Sequence, residues 1–379
     1  MKFYLISLIG LFLVFSCSRN SGEITEPQLV IDPLRVRSVE IADSMNNNLL
    51  AAQLLISGID GNSYLSQNMI DLLTEIPAGG IMLFRYNLNT TNENISSLLS
   101  QTSSLITDES DIPPFIAVDH EGGTVNRFRQ GIGTLPTASH YWQFSLTEGE
   151  DAALLKIYED SLKAGIEINI LGINMNFAPV AEYLIDENRS FLERRSYGPD
   201  PDFTANAAFA FMKGMHQAGI ICVVKHFPGS AGADPHYSAS VLNVDKTEID
   251  KLISPFKYLI DNGARSIMAA HTTVPVIDEK IASLSPVVMQ NWLRGELGFD
   301  GIIISDDFIM AAAGNLNPED AAVLSIAAGS DMILVWPAHL RKTHEAIISA
   351  LEDGRLSHER LLDAAQRVIY EKLKMGLME

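Results

Sequence analysis

The chain has 379 residues, of which 47% are hydrophobic and 20% are charged. That composition is typical of a folded globular protein and excludes a disordered or fibrous chain. The formal net charge of −20 at pH 7 argues against nucleic acid as a partner, because nucleic-acid binding needs lysine and arginine clustered on one face.

The first residues have the pattern of an export signal. Lys2 precedes an apolar run of thirteen residues, which is shorter than the about 20 residues of a transmembrane helix. The run ends in Val-Phe-Ser-Cys at 14–17, which resembles a bacterial lipoprotein signal with Cys17 as the lipid-bearing residue. We predict a signal peptide at 1–16, a tether at 17–36, and an exported protein anchored by lipid at the periplasmic face of a membrane or at the cell surface. The alternative is a plain secretory signal with an incidental cysteine.

Eight short apolar runs alternate with helix-forming stretches along the rest of the chain. The runs lie at 53–57, 80–84, 115–118, 173–177, 220–224, 266–269, 301–304 and 331–335. Such runs are typical of strands buried on both faces, as in a parallel sheet. Eight units of this kind predict a single (β/α)8 barrel of the TIM type over 37–379. A doubly wound sheet is the competing architecture, but no glycine-rich phosphate-binding motif follows the first strand.

Ionisable residues follow most of these predicted strands. They are Arg85, Asp119 to Glu121, Glu182, Lys225 and His226, His271, and Asp306 with Asp307. Because the carboxyl ends of barrel strands meet at one mouth, these side chains are expected to lie together. The histidines lack the spacing of a zinc motif and no cysteine cluster is present, so a zinc site is poorly supported. Carboxylates beside Lys, His and Arg favour acid–base chemistry on a polyhydroxylated substrate.

Several motifs, in order along about 50–336, resemble the β-N-acetylglucosaminidases of glycoside hydrolase family 3. The segments are AVDHEGGTVNRF at 117–128, RSYGPDP at 195–201, KHFPG at 225–229 with DPH at 234–236, SLSP at 283–286, the stretch 297–310, and AGSDM at 328–332. The resemblance implies retaining hydrolysis through a covalent glycosyl-enzyme, which needs no metal and no other cofactor. The ordered set carries the resemblance, since any one motif is only moderately specific.

The resemblance also implies roles for individual residues. Asp306 would be the nucleophile, and His236, supported by Asp234, would be the general acid and base. Sugar contacts carried over are those of Asp119, Arg127, Arg195, Lys225 and His226. The loop between Gly229 and Asp234 is shorter than in the family, and Pro235 stands where a serine is usual. If that loop displaces His236, His271 is the next candidate for the acid.

We therefore predict a lipid-anchored, monomeric exo-β-N-acetylglucosaminidase that acts on terminal N-acetylglucosamine of glycans or peptidoglycan fragments. Another family 3 activity, such as a β-glucosidase, a β-xylosidase or a phosphorylase, is the first alternative. A lipoprotein that binds glycans without cleaving them is the second, and the short loop is its only support. The sequence leaves the physiological glycan open.

Overall fold

The computed structural model describes residues 32–128, 131–234, 237–309 and 316–379. The strands in these ranges are β1 (Leu55–Gly58), β2 (Gly80–Leu83), β3 (Phe115–Val118), β4 (Met175–Asn176), β5 (Ile221–Phe227), β6 (Ser240–Val241), β7 (Ser266–Ala269), β8 (Thr272–Val274), β9 (Asp278–Ile281), β10 (Ile302–Ser305) and β11 (Met332–Val335). The α-helices are α1 (Pro33–Ser44), α2 (Asn47–Gln53), α3 (Gln67–Glu75), α4 (Asn92–Ser110), α5 (Ala138–Glu148), α6 (Glu150–Asn169), α7 (Arg189–Leu192), α8 (Pro201–Gln217), α9 (Lys246–Leu252), α10 (Ser254–Asp261), α11 (Pro318–Ala328), α12 (Pro337–Glu352) and α13 (His358–Lys374). A 3₁₀ turn at Ala282–Leu284 and a π-helix at Val287–Glu296 connect β9 to β10.

Eight of these strands close into a parallel barrel, which confirms the predicted (β/α)8 fold. Their order around the barrel is β1, β11, β10, β7, β5, β4, β3, β2. Each barrel strand overlaps one of the eight predicted runs, although β4 keeps only two residues of its run.

Alternating side chains of the barrel strands form two separate apolar layers. On β10, Ile302 and Ile304 point into the barrel interior, and Ile303 packs outward under the helices. Met82 and Met268 also lie in the interior cluster, as expected for strand residues of this type. The interior is therefore a packed core, so a site in a barrel of this kind is expected beyond it, at the strand ends.

The two ends of the described chain meet at the other end of the barrel. Helix α13 places Val368 in the interior apolar cluster, and Met375 and Leu377 pack against the same cluster. Helix α1 packs on α13, and Asp32 caps α1 by accepting from the backbone of Leu34. The last four residues of the predicted tether, 33–36, are thus helical, because proline at the first helical position and the Asp32 cap start the helix early.

The predicted signal peptide and Cys17 lie outside the described residues. Among the residues from 32 onward that the structure describes, no helix is long and apolar enough to cross a membrane.

A second, small sheet lies beside the barrel mouth and was not predicted. Strand β8 pairs in parallel with β6 and antiparallel with β9. The hydroxyl groups of Ser240 and Thr272 lie 2.9 Å apart and join β6 to β8. This sheet fixes the far end of the loop that leaves β5, which is the loop with Asp234.

Candidate active site

The predicted sugar-binding residues come together at the carboxyl ends of β3, β4 and β5. Asp119 follows β3 directly, and its carboxylate accepts from Lys225 Nζ at 2.6 Å and from Arg127 Nη2 at 2.8 Å. The side chains of Asp119 and Arg127 are 21% and 24% exposed, while Lys225 is buried. Asp119 and Arg127 thus form a salt bridge with each other and still keep part of their side-chain surface exposed at the barrel mouth.

Glu121 connects two of these cations and received no role in the sequence analysis. Its carboxylate accepts from Arg195 Nε at 2.8 Å and Nη2 at 2.7 Å, and Lys225 Nζ lies 2.6 Å away. Burial alone would raise the pKa of Glu121, but Arg195 and Lys225 hold that pKa well below its usual value. Glu121 therefore keeps both cations in place as a permanent anion.

Glu182 holds the next residue of the cluster, His226. It follows β4 in a segment that continues beside β5, where the backbone N–H of Ala181 donates to the carbonyl of Lys225 at 2.9 Å. Glu182 Oε1 lies 2.7 Å from His226 Nδ1, and Glu182 Oε2 accepts from the backbone N–H of Ser230 at 2.5 Å. The sequence marked Glu182 only as an ionisable residue at a strand end, since its partners depend on barrel closure.

Asp306 lies across the mouth, directly after β10. Its Oδ1 accepts from the backbone N–H of Asp307 at 2.8 Å, and its own N–H donates to Ala269 at the end of β7. The contact with the Asp307 N–H orients Oδ1 of Asp306. The other carboxylate oxygen, Oδ2, has no hydrogen bond among the described residues. Asp306 is partly exposed, which its predicted role as nucleophile requires.

The carboxylate of Asp307 is held by groups other than Asp306. Its Oδ1 accepts from the backbone N–H of Ile309 at 3.0 Å, and its Oδ2 accepts from Trp336 Nε1. The indole of Trp336 stacks on Phe84 with ring centroids 4.5 Å apart. Burial raises the pKa of Asp307 above its usual value. These contacts give Asp307 a supporting position beside Asp306.

His271 also reaches the mouth, but its ring is fully engaged. Its Nε2 lies 3.1 Å from the carbonyl oxygen of Asp307, which can only accept, and its Nδ1 lies 2.7 Å from Ser283 Oγ. Burial lowers the pKa of His271. The proton on Nε2 is thus directed at the backbone, so His271 is a poor second candidate for the acid.

The predicted acid–base pair is described only in part. Asp234 lies in the loop after β5, and its carbonyl oxygen accepts from the backbone N–H groups of Tyr237 and Ser238 at 3.0 and 3.2 Å. His236 lies outside the described residues. The pairing of His236 with Asp234 therefore stays a prediction.

No three Asp, Glu, His or Cys side chains of the described ranges are grouped so that they could hold a metal ion. Cys222 is free and buried within β5, and burial raises the pKa of its thiol.

Sequence comparison identifies relatives over most of the chain. The family model for the glycosyl hydrolase family 3 N terminal domain matches residues 48–370. A beta-hexosaminidase from Nitrosomonas eutropha is 33% identical over 310 residues, which are 79% of this chain and 86% of the relative. A beta-hexosaminidase from Methylococcus capsulatus is 36% identical over 296 residues, or 76% of this chain and 83% of that one.

Solved structures give the same result. A glycoside hydrolase family 3 beta-N-acetylglucosaminidase from Paenibacillus superposes with a TM-score of 0.81 and 30% identity over 88% of this chain, which spans 63% of that longer protein. NagZ from Neisseria gonorrhoeae, in complex with N-trifluoroacetyl-D-glucosamine, superposes with a TM-score of 0.69 and 27% identity, covering 83% of this chain and 97% of NagZ.

Proposed function

This chain belongs to glycoside hydrolase family 3, and from that premise we propose that it is a retaining exo-β-N-acetylglucosaminidase. The observation that carries the proposal is the division of the barrel mouth into a charged sugar-binding cluster on β3 to β5 and a carboxylate, Asp306, across from it on β10. The names of the beta-hexosaminidase relatives and the aminosugar bound to NagZ support the same substrate class.

The sugar-binding cluster suits a terminal pyranose. Asp119 accepts from sugar hydroxyl groups, and Arg127 and Arg195 donate to sugar oxygen atoms. Behind them, Lys225 and Glu121 form an ion pair at 2.6 Å that ends the site. Both side chains of this pair are buried, and we propose that they form the inner wall of a pocket that admits only the last sugar of a chain, as exo action requires.

Asp306 then attacks the anomeric carbon, and the bond to the leaving oxygen breaks as a general acid supplies a proton. We propose His236 as that acid, with Asp234 to orient its ring, as the resemblance implies. Water next displaces Asp306 from the glycosyl-enzyme, and the same group acts as the base. Two displacements at one carbon return the original β configuration.

Asp306→Asn tests the nucleophile. It should lower kcat for a p-nitrophenyl β-N-acetylglucosaminide by at least about 10⁴-fold, because the amide cannot form the glycosyl ester. Asp307→Asn is the matched control and should lower kcat by no more than about 100-fold, because this variant loses only the hydrogen bond that supports Trp336.

Mass spectrometry with a slow fluorinated substrate should show a label on Asp306. A label on another carboxylate, or an inverted anomeric product by NMR, contradicts the mechanism. Binding of N-acetylglucosamine without turnover by the wild type supports the non-catalytic alternative.

We also propose that Cys17 carries lipid and anchors the enzyme to a membrane. Wild-type protein should fractionate with membranes, and Cys17→Ser should move it to the soluble fraction, because one cysteine carries the whole anchor. Mass spectrometry of the N-terminus is the direct readout. An intact Met1, or an unmodified Cys17 in soluble protein, contradicts the proposal.

A further inference from the structure

We infer that Glu182 is a positioning residue that keeps the proton of His226 on Nδ1, so that Nε2 faces the sugar as a hydrogen-bond acceptor. The inference rests on the proposed function for the identity of the sugar. Its structural part, the proton position on His226, can be tested without any turnover.

The carboxylate of Glu182 acts as an acceptor at both oxygens. Oε1 accepts from the backbone N–H of His226 at 3.1 Å and from Ser230 Oγ at 3.0 Å, and Oε2 accepts from the backbone N–H of Ser230 at 2.5 Å. Backbone N–H groups can only donate. Glu182 is 1% exposed, so water does not replace these partners. The 2.7 Å contact between Oε1 and His226 Nδ1 therefore requires a hydrogen on Nδ1.

The other ring nitrogen has the opposite partner. His226 Nε2 lies 3.4 Å from Arg195 Nη2, and a guanidinium group has donors only. Arg195 is itself fixed by two hydrogen bonds to Glu121, so it cannot turn away. Nε2 must therefore present its single lone pair, and because the 3.4 Å contact with Arg195 is longer than a normal hydrogen bond, a sugar hydroxyl group that donates to Nε2 takes the place of that contact. Glu182 and Arg195 independently specify the same tautomer, with the hydrogen on Nδ1.

The backbone around Glu182 is arranged to keep this geometry. Ser196 Oγ donates to the Glu182 carbonyl at 2.6 Å, which ties Glu182 to the residue next to Arg195. Between His226 and Ser230 the chain turns around the carboxylate, and Gly229 at φ +145° adopts a conformation that favours glycine. Glu182 thus joins the Arg195 segment, the end of β5 and the start of the Asp234 loop.

This arrangement predicts a polarity rule for the substrate. Arg127 and Arg195 can only donate, so a sugar atom that meets them needs only to accept. A hydroxyl group that meets His226 Nε2 has to donate its hydrogen. Fluorine can replace the first kind of hydroxyl in part, because it accepts weakly, but it cannot replace the second kind.

The first experiment measures inhibition constants of N-acetylglucosamine and its 3-, 4- and 6-deoxy and deoxyfluoro analogues. Inhibition is used because fluorine also slows the chemical step. At one ring position the deoxy and fluoro analogues should both bind about tenfold or more weakly than the hydroxyl compound. If a fluoro analogue binds as well as the hydroxyl compound at every position, Nε2 is not an obligate acceptor and the inference fails.

Glu182→Gln then tests Glu182 itself, with Glu193→Gln as control. Gln cannot accept at both atoms, so either Nδ1 or the Ser230 N–H faces another donor. The affinity for N-acetylglucosamine should fall about 10–100-fold. The affinity for the analogue that lacks the hydroxyl group at the sensitive position should fall much less. A merely structural effect would weaken all analogues equally. Glu193 is exposed in the same segment, and its variant should leave the whole panel unchanged.

Nitrogen-15 NMR of histidine-labelled protein gives a readout that is independent of activity. The His226 signals, assigned by their loss in His226→Gln, should show a hydrogen on Nδ1 and none on Nε2 in the wild type. Glu182→Gln should change this state. Hydrogen on Nε2 in the wild type, or the same tautomer in both proteins, overturns the inference. Loss of the proposed function would instead appear as a correct tautomer in a protein that neither binds nor cleaves N-acetylglucosaminides.

Discussion

Arg195 and Lys225 can face a neutral sugar because Glu121 neutralises them from behind. Lys225 is 3% exposed, and the Glu121 side chain is 6% exposed. A buried cation without a partner is costly, so the sugar-binding donors depend on an anion that need not touch the sugar. At the level of single residues, the site is thus one connected set of charges.

Glu121→Gln should lower the free energy of unfolding by about 3 kcal/mol, because Arg195 and Lys225 stay buried with one anion fewer. Chemical denaturation at pH 7 measures this loss. Glu109→Gln, an exposed residue of α4, is the control and should change stability by less than about 0.5 kcal/mol. The pKa of Glu121 is lowered in the folded state, so its contribution is present above the unfolded value of about 4.3 and is lost only as the pH falls below it. A difference between wild type and Glu121→Gln that already declines from pH 7 to pH 5 argues against this origin.

At the level of elements, the short strand β4 needs help from a side chain. Asn176, its last residue, accepts from the backbone N–H of His120 at 3.0 Å through Oδ1 and donates to the His120 carbonyl at 2.9 Å through Nδ2. These two bonds continue the pairing of β3 and β4 beyond the end of the ladder. They fix the turn between Asp119 and Glu121, which is where the sugar-binding cluster begins.

Asn176→Asp should destabilise the fold by about 2–3 kcal/mol, because the buried carboxylate cannot donate to His120. It should also raise KM more than it lowers kcat, since Asp119 and Glu121 flank His120 and belong to the sugar-binding side. Urea denaturation and steady-state kinetics measure the two effects. Asn48→Asp makes the same chemical change at an exposed position of α2 and should be nearly silent. Unchanged KM in a folded Asn176→Asp protein contradicts the role of this link.

The elements differ in how far the sequence could predict them. The eight barrel strands were predictable because each contains an apolar run, and most of these runs are followed closely by ionisable residues. Closure of the barrel then brings distant strand ends together. Strands β6, β8 and β9 have two to four residues and mixed polarity, so no periodic pattern marks them. The role of Glu121 was not predictable, because its partners, Lys225 and Arg195, lie far from it in sequence and meet it only in the closed barrel.

At the level of the whole molecule, the barrel has an active end and a closing end. The carboxyl ends of the strands hold nearly all the paired charges of the site, while α13 seals the opposite end with apolar residues. Charged residues of α13 are buried there as well, and one of them, Lys372, is fully buried. Its Nζ donates to Gln53 Oε1 at 2.8 Å and lies 5.2 Å from the centre of the Phe115 ring.

Lys372 should make stability rise as the pH is raised. Burial lowers its pKa well below the usual value, whereas in the unfolded chain that pKa is about 10.4. Between the two values the unfolded state binds more protons than the folded state, so the free energy of unfolding increases with pH by at most about 1.4 kcal/mol per unit. Denaturation of the wild type and of Lys372→Met from pH 7 to pH 10 tests this, and the rise should be absent from the variant. Lys374→Met, an exposed residue of the same helix, should keep it. If the free energy of unfolding changes with pH in the same way for wild type and Lys372→Met, then Lys372 stays charged at the closing end, stabilised by Gln53 and the face of Phe115 alone.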